Sequence, residues 1–424
     1  MSRAKPHASS SAAVDAHVIV DRRGFRLDAR VRVEHGEVVA VMGPPGAGKS
    51  TLLNAIAGTL RLSGGSIAFD NDTTATKHRH VRPQKRGVAL LGADARLFPH
   101  LSARDNVAFG LRVRGVDRAH ARTEADEWLW QVGLGGSGDH RPRELSPGQR
   151  QRTALARALA AAPRAVLLDE PMAGLEPGEA SEIRALLQEQ LVATRVAALV
   201  VTHDVTDAAA LGRRLLVLEG GQITQEGDAA DVLARPATPF AAGIAGLNRV
   251  VGTGSRGGCL VKASEGPVRI GGGDPALESP APEPHRPSWH GHELPHGYES
   301  TGEVPTASGE GQRVTALFRP SDVTLELAPD TSWTGALKLA REAEPQPGEW
   351  LARVVRFESD PSGARVVTDQ PRVIAEIPAA RLAGMHLAPG DPVRLSVPPE
   401  RVRIIASRRR AVTRATRAEA PRDE

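Results

Sequence analysis

The run Gly43-Pro44-Pro45-Gly46-Ala47-Gly48-Lys49-Ser50 constrains this chain more than any other segment. It fits G-x-x-x-x-G-K-S, a backbone able to curl until several N–H groups face one anion. The apolar stretch Val38 to Met42 precedes it and reads as a strand. Leu52, Leu53, Ile56, Ala57 and Leu60 follow at helical spacing, with Gly58 tolerated inside the helix. Strand, glycine-rich turn and helix in that order aim the positive end of the helix at the same anion. The pattern points to a nucleotide phosphate site lined by Gly43, Pro44, Pro45, Gly46, Ala47, Gly48, Lys49, Ser50 and Thr51. Lys49 is placed to bridge the β- and γ-phosphates, and the Ser50 hydroxyl to ligate Mg²⁺.

Two later strand ends carry matching chemistry. Ala165 to Leu168 is apolar throughout and runs into Asp169-Glu170. A strand buried on both faces reads as such a run, and its C-terminal end is where α/β sheets hold ligands. Asp169 is placed to hold Mg²⁺, directly or through water, and Glu170 to polarise an attacking water as general base. Thr202-His203-Asp204 follows the apolar stretch Ala197 to Thr202, and His203 can hydrogen-bond a γ-phosphate oxygen. Val88 to Leu91 is a further strand, and Leu215 to Leu218 turns at Gly220-Gly221 as a hairpin edge.

At 424 residues the chain calls for two or three domains. Aromatics make up only 3% of it, so its cores must be aliphatic. No apolar run reaches the roughly 18 residues of a membrane span, so any membrane role is expected to be peripheral. Residues 1–15 read as a disordered polar tail with no apolar signal segment, and 16–240 as an α/β domain. Residues 241–271 read as a connector with first β segments, and 272–312 as a disordered insert rich in Pro, Gly and His. Its His285, His290, His292 and His296 read as solvated linker residues rather than a metal site. Strand character returns over 313–406, broken by turns such as Pro389-Gly390-Asp391, and reads as a small β-barrel. Residues 407–424 form a basic tail, a solvated end on a chain whose formal charge is only +4. Cys259 is the only cysteine, which excludes an internal disulfide and fits a reducing compartment.

Leu145-Ser146-Pro147-Gly148-Gln149-Arg150-Gln151-Arg152 opens a helix: Ser146 suits the N-cap, Pro147 the first helical position and Gln149 a capping box. That helix N-terminus is a second anion site, separate from the first. In this order the motifs resemble the ABC transporter ATPases, whose LSGGQ signature corresponds to Leu145 to Gln149, a little before the Asp169 strand. The resemblance covers about residues 16–240. It implies a P-loop NTPase fold with a helical subdomain, and ATP and Mg²⁺ as cofactors. It also implies a head-to-tail homodimer in which Ser146, Pro147, Gly148 and Gln149 of one copy face the nucleotide held by the other. Phe25 is the one aromatic upstream of the phosphate loop, and serves either to stack on adenine or to fill the core.

Three positions depart from the family pattern. Pro147 replaces a glycine and removes a backbone N–H. Glu176, in Ala173-Gly174-Leu175-Glu176, stands where Asp is usual. Ala93 stands where a glutamine is expected to reach Mg²⁺ and water, with Asp94 beside it as a possible oxygen ligand.

In the family the surface around Leu97 to Leu101 receives a membrane subunit, with Phe98 as the anchor. Arg319-Pro320-Ser321-Asp322-Val323 and the β-rich end resemble the TOBE domain of importer ATPases. Ala95 to Leu101 and Ala245-Gly246-Leu247-Asn248 are similar to molybdate-importer ATPases, and sulfate, iron and polyamine importers share the same plan. The resemblance thus implies a peripheral subunit at the cytoplasmic face of the cell membrane, acting with integral permease subunits and indirectly with a solute-binding protein. No nucleic acid is expected as a partner, since the chain has neither tandem ATPase halves nor heptads. A hydrolysis-impaired regulator is the alternative that Ala93, Pro147 and Glu176 suggest.

Overall fold

A computed structural model describes residues 12–255, 258–263, 266–271, 311–328, 348–360 and 363–406. Of the histidine-containing insert read over 272–312, residues 272–310 lie outside the described residues, as does the basic tail over 407–424. Gly311 and Gln312 are described and bond to the Gly254 backbone, so the insert ends two residues earlier than read. The chain divides into two compact units, Met1–Ala245 and Gly246–Glu424.

The first unit is built on a six-stranded sheet. Its order is Gln222–Asp228, Arg214–Glu219, Val38–Met42, Ala197–Val201, Ala165–Asp169 and Val88–Gly92. All neighbours are parallel except the first pair, the hairpin through Gly220-Gly221. The continuous apolar runs of the central strands follow from burial on both faces; every residue of Ala197–Val201 is buried. Parallel register brings Gly92 level with Asp169, Asp169 with Val201 and Val201 with Val41. The four loops that follow these strands therefore emerge side by side at one sheet edge.

A four-stranded antiparallel sheet, in the order Phe25–Val33, Val14–Arg22, Gly64–Phe69 and Asp72–Thr76, forms a second layer that the sequence reading did not resolve. The first strand begins at Val14, with Ala12 and Ala13 already buried, so ordered structure starts inside the span read as a tail. Helix Lys49–Ala57 lies in the apolar cluster that both sheets share; Leu52, Leu53 and Ile56 are fully buried there. Burying each such side chain is worth about 1.5–3 kcal/mol.

The helix does not pass through Gly58, as the spacing of Leu60 suggested. It stops there, because Gly58 adopts φ 89° and its N–H bonds to Asn54 and Ala55 carbonyls. Helices Ala103–Val113, Arg118–Gln131 and Pro147–Ala160 pack on their own cluster of Val107, Leu111, Ala125, Leu129 and Ala156, giving a helical subdomain. Among the described residues no helix is long and apolar enough to cross a membrane.

Among the described residues the second unit is all-β apart from helix Ala379–Met385 and short turns. It holds two five-stranded sheets around one core that includes Phe318, Trp350, Val366 and Leu395. The strands within the span read as a connector, Asn248–Ser255, Gly258–Ala263 and Gly266–Ile270, belong to the first of these sheets. There Asn248–Ser255 pairs with Arg313–Phe318.

Candidate active site

At the shared sheet edge, Gly48 is the N-cap of helix Lys49–Ala57 with φ 104°, a left-handed backbone that a side chain would strain. A Cβ on Gly48 would also meet Phe25 Cζ at 2.8 Å. The Phe25 ring therefore lies against the phosphate loop while half-buried on the apolar cluster, so both readings of Phe25 fit its place. Lys49 Nζ donates to the carbonyls of Gly43 at 2.6 Å and Pro44 at 3.1 Å, which folds the cation over the loop. Burial pushes the Lys49 ammonium below its ordinary value, against the opposing pull of the Glu170 and Asp169 carboxylates. Those carboxylates are therefore within electrostatic reach of the cation, as a phosphate site with its metal requires.

Glu170 closes the neighbouring loop in an uncommon conformation. Its φ is 55°, while its N–H bonds to Val201 O at 2.9 Å and its own carbonyl accepts from Ala173 N at 3.1 Å. A non-glycine residue there costs on the order of 1–3 kcal/mol and is kept only where surrounding contacts over-determine it. The turn brings Glu170 Oε2 to 2.6 Å from His203 Nδ1. With the proton on Nδ1 the imidazole donates to the carboxylate.

The loop that carries His203 is braced from below. Thr202 donates its hydroxyl to buried Asp207 at 3.2 Å, Arg184 Nε donates to the same carboxylate at 2.7 Å, and Asp204 caps helix Val205–Leu211. Neither Arg184 nor Asp207 was singled out from the sequence, because the pair is separated by 23 positions.

The donor set suits a hard cation. Ser50 and Asp169 supply oxygen only, and Mg²⁺ keeps several waters and phosphate oxygens, so one hydroxyl and one carboxylate are enough protein ligands. Among the described residues there is no cluster of three or more His, Cys, Asp or Glu that would hold a metal by itself.

The signature residues stand apart from this edge. Among the described residues no hydrogen bond links Ser146–Gln149 to Gly43–Thr51 of the same chain. Ser146 Oγ accepts from Gln149 N at 3.2 Å while Gln149 Oε1 accepts from Ser146 N at 2.9 Å. The Gln149 side chain is thus occupied in the capping box.

One residue of this helix that the sequence reading passed over ties the regions together. Gln151, 3% exposed, donates its amide to Pro171 O at 2.9 Å and to Gly92 O at 3.2 Å. It joins the helix to the turn after Glu170 and to the strand end before Ala93. Its spacing from Leu155 and Leu159 places it on the apolar stripe, which was the available signal.

The segment around Phe98 is fixed by two side chains. Arg157 donates to the carbonyls of Ala95 at 2.9 Å and Arg96 at 3.0 Å, and its guanidinium lies 5.4 Å from the Phe98 ring centroid. Buried Asn106 accepts from Phe98 N at 2.8 Å. Phe98 in turn packs on the exposed Phe109 ring at 4.7 Å.

Residues 27–173 match the family described as ABC transporter. The sulfate/thiosulfate import ATP-binding protein CysA 2 of Agrobacterium fabrum is 37% identical over 255 residues, which cover 59% of this chain and 73% of that protein. The chain belongs to the ABC transporter family. The molybdenum import ATP-binding protein ModC of Mycobacterium tuberculosis is 46% identical over 242 residues, 56% of this chain. That match spans 65% of the relative, just under two thirds of its length. A solved structure of cbiO1 from Clostridium perfringens, part of the ABC transporter complex cbiONQ, is 27% identical with a TM-score of 0.48. It covers 53% of this chain and 91% of that one.

Within the ABC frame, the departures from the family pattern have distinct settings. Ala93 is exposed just after Gly92, the register partner of Asp169. Pro147 takes the first position of its helix. Glu176 occupies the N-cap of helix Pro177–Thr194 and makes no side-chain cap bond, and Glu is not among the side chains that favour that position.

Proposed function

We propose that this chain is the ATP-hydrolysing subunit of an importer for a small oxyanion, molybdate foremost. The observation that carries the reading is the Glu170–His203 pair at 2.6 Å, set on the same sheet edge as Lys49. Backbone N–H groups of Gly43 to Thr51 and the Lys49 ammonium bind the phosphates. Ser50 and Asp169 hold Mg²⁺, which when bound supplies neutralisation of the phosphate charge. Glu170 takes the proton of the attacking water, and His203 keeps its carboxylate aimed. Phe25 offers a face for the adenine.

A second copy, packed head to tail, presents Ser146 and Gly148 to the γ-phosphate, with Pro147 and Gln149 shaping that helix end. This arrangement is supported by the absence of intrachain bonds from the signature to the phosphate loop among the described residues. The rim of Phe98 and Phe109 docks an integral membrane permease at the cytoplasmic face, and a solute-binding protein delivers the anion to that permease.

The 46% identity to a protein named for molybdenum import supports molybdate as cargo. A sulfate cargo is the second reading, supported by the longer match to the sulfate/thiosulfate relative, 73% of its length. Phosphate release by the full chain with its co-purified permease, compared with Glu170→Gln, tests the enzyme reading. Equal rates would sink it and favour the hydrolysis-impaired regulator. Molybdenum content of the co-purifying solute-binding protein, with ion chromatography of the anion it releases on denaturation, then separates molybdate from sulfate as cargo.

A further inference from the structure

The N-terminus of helix Pro147–Ala160 carries a carboxylate from the neighbouring helix. Glu179, in the first turn of Pro177–Thr194, places Oε1 3.4 Å from Ser146 Oγ. A Cβ on Gly148 would meet the same Oε1 at 2.9 Å and its Cδ at 3.1 Å, so the carboxylate fills the space beside the glycine. One turn further on, Glu182 is ion-paired with Arg152, a second contact between the same two helices. Glu179 has no cationic partner among the described residues. It sits instead between two helix N-termini, its own and that of Pro147–Ala160, whose partial positive charges favour an anion there.

Ser146 and Gly148 are the groups assigned above to the γ-phosphate of the partner copy, and the present inference rests on that assignment. We propose that Glu179 is a positioning residue of the composite nucleotide site. It holds Ser146 and occupies the anion face that the phosphate must enter, so closure on ATP requires its carboxylate to withdraw. Two anions cannot share one helix end without mutual repulsion, and the Ser146 hydroxyl has one proton to donate. The contact therefore raises the ATP concentration at which two copies close, and makes that threshold depend on ionic strength.

The test uses the full chain carrying Glu170→Gln to hold ATP unhydrolysed, with Mg²⁺, reading dimer formation by light scattering against ATP concentration. Adding Glu179→Gln keeps the shape and removes the charge. It is expected to lower the ATP midpoint roughly fivefold at low ionic strength. The difference is expected to shrink at high ionic strength as screening takes over. Glu179→Asp, which keeps the charge, is expected to leave the midpoint near that of the parent. An unchanged or raised midpoint in Glu179→Gln overturns the proposal, as does an equal fall in Glu179→Asp. Ser146→Arg serves as the control on the underlying assignment: loss of the dimer supports it, and a dimer that still forms overturns the assignment and the proposal together.

Discussion

The Arg86 guanidinium lies against the Cα of Gly58: a Cβ there would meet Nε at 2.4 Å and Cζ at 2.6 Å. Arg86 is fully buried and donates to Ala55 O and Ile56 O, both at 2.9 Å, and to Val81 O at 2.9 Å. A cation thus closes the C-terminal end of helix Lys49–Ala57 and complements the negative end of its dipole. Arg86→Met would leave buried carbonyls without donors and is expected to cost about 2–4 kcal/mol of stability. Gly58→Ala adds a clash to a left-handed backbone and is expected to destabilise as well. Urea unfolding of both variants measures this; parental midpoints in both would show that the clamp contributes nothing.

The His203 side chain bonds to Glu170, and its ring is otherwise largely exposed, 73% by side-chain area. His203→Ala is therefore expected to leave stability close to the parent while slowing phosphate release on the order of 10²-fold. Single-turnover hydrolysis with permease present would check it. A parental rate would remove His203 from the site.

Ala93 follows the strand partner of Asp169 and carries no polar atom toward the metal position. Ala93→Gln is expected to raise permease-stimulated hydrolysis, by roughly tenfold if the new side chain contributes about 1.4 kcal/mol to the transition state. A slower or unchanged enzyme would mean that the loop is already completed by another group, with Asp94 the first to substitute.

Cys259 is fully buried, and burial pushes its thiol up to about 11. At pH 8 only on the order of a thousandth of it is thiolate, and only thiolate reacts. The folded chain is expected to resist iodoacetamide at that pH and to take up one equivalent once unfolded in urea. Rapid labelling of the native protein would contradict the buried setting.

Phe25 and Gln151 show how far the sequence reached. The spacing of Gly43, Gly48, Lys49 and Ser50, the acids closing an apolar strand and the capped helix at Ser146 are local signals. Phosphate cradles, strand ends and helix caps are made by residues near one another in the chain, so these elements were legible before any fold was known. Which strands are neighbours is not a local property. Register alone placed Gly92, Asp169 and Val201 level, and so brought Glu170 to His203 across 33 positions.

The antiparallel sheet went unread, although Val14–Arg22 and Phe25–Val33 alternate buried and less buried residues at period 2. Its other strands, Gly64–Phe69 and Asp72–Thr76, are short and rich in small or polar residues, so nothing local marks their pairing. The chain by itself determined a strand, a glycine-rich turn and a helix over Val38 to Ala57, the frame expected of a phosphate loop, because curled backbone and helix charge follow from local residue choice. Only the tertiary structure decided which side chains meet these motifs: Arg86 on the helix after the loop, Gln151 beside the turn after Glu170, and Glu179 on Ser146 and Gly148. Buried polar groups take whatever partners packing brings within hydrogen-bond reach, and packing is settled by the whole chain.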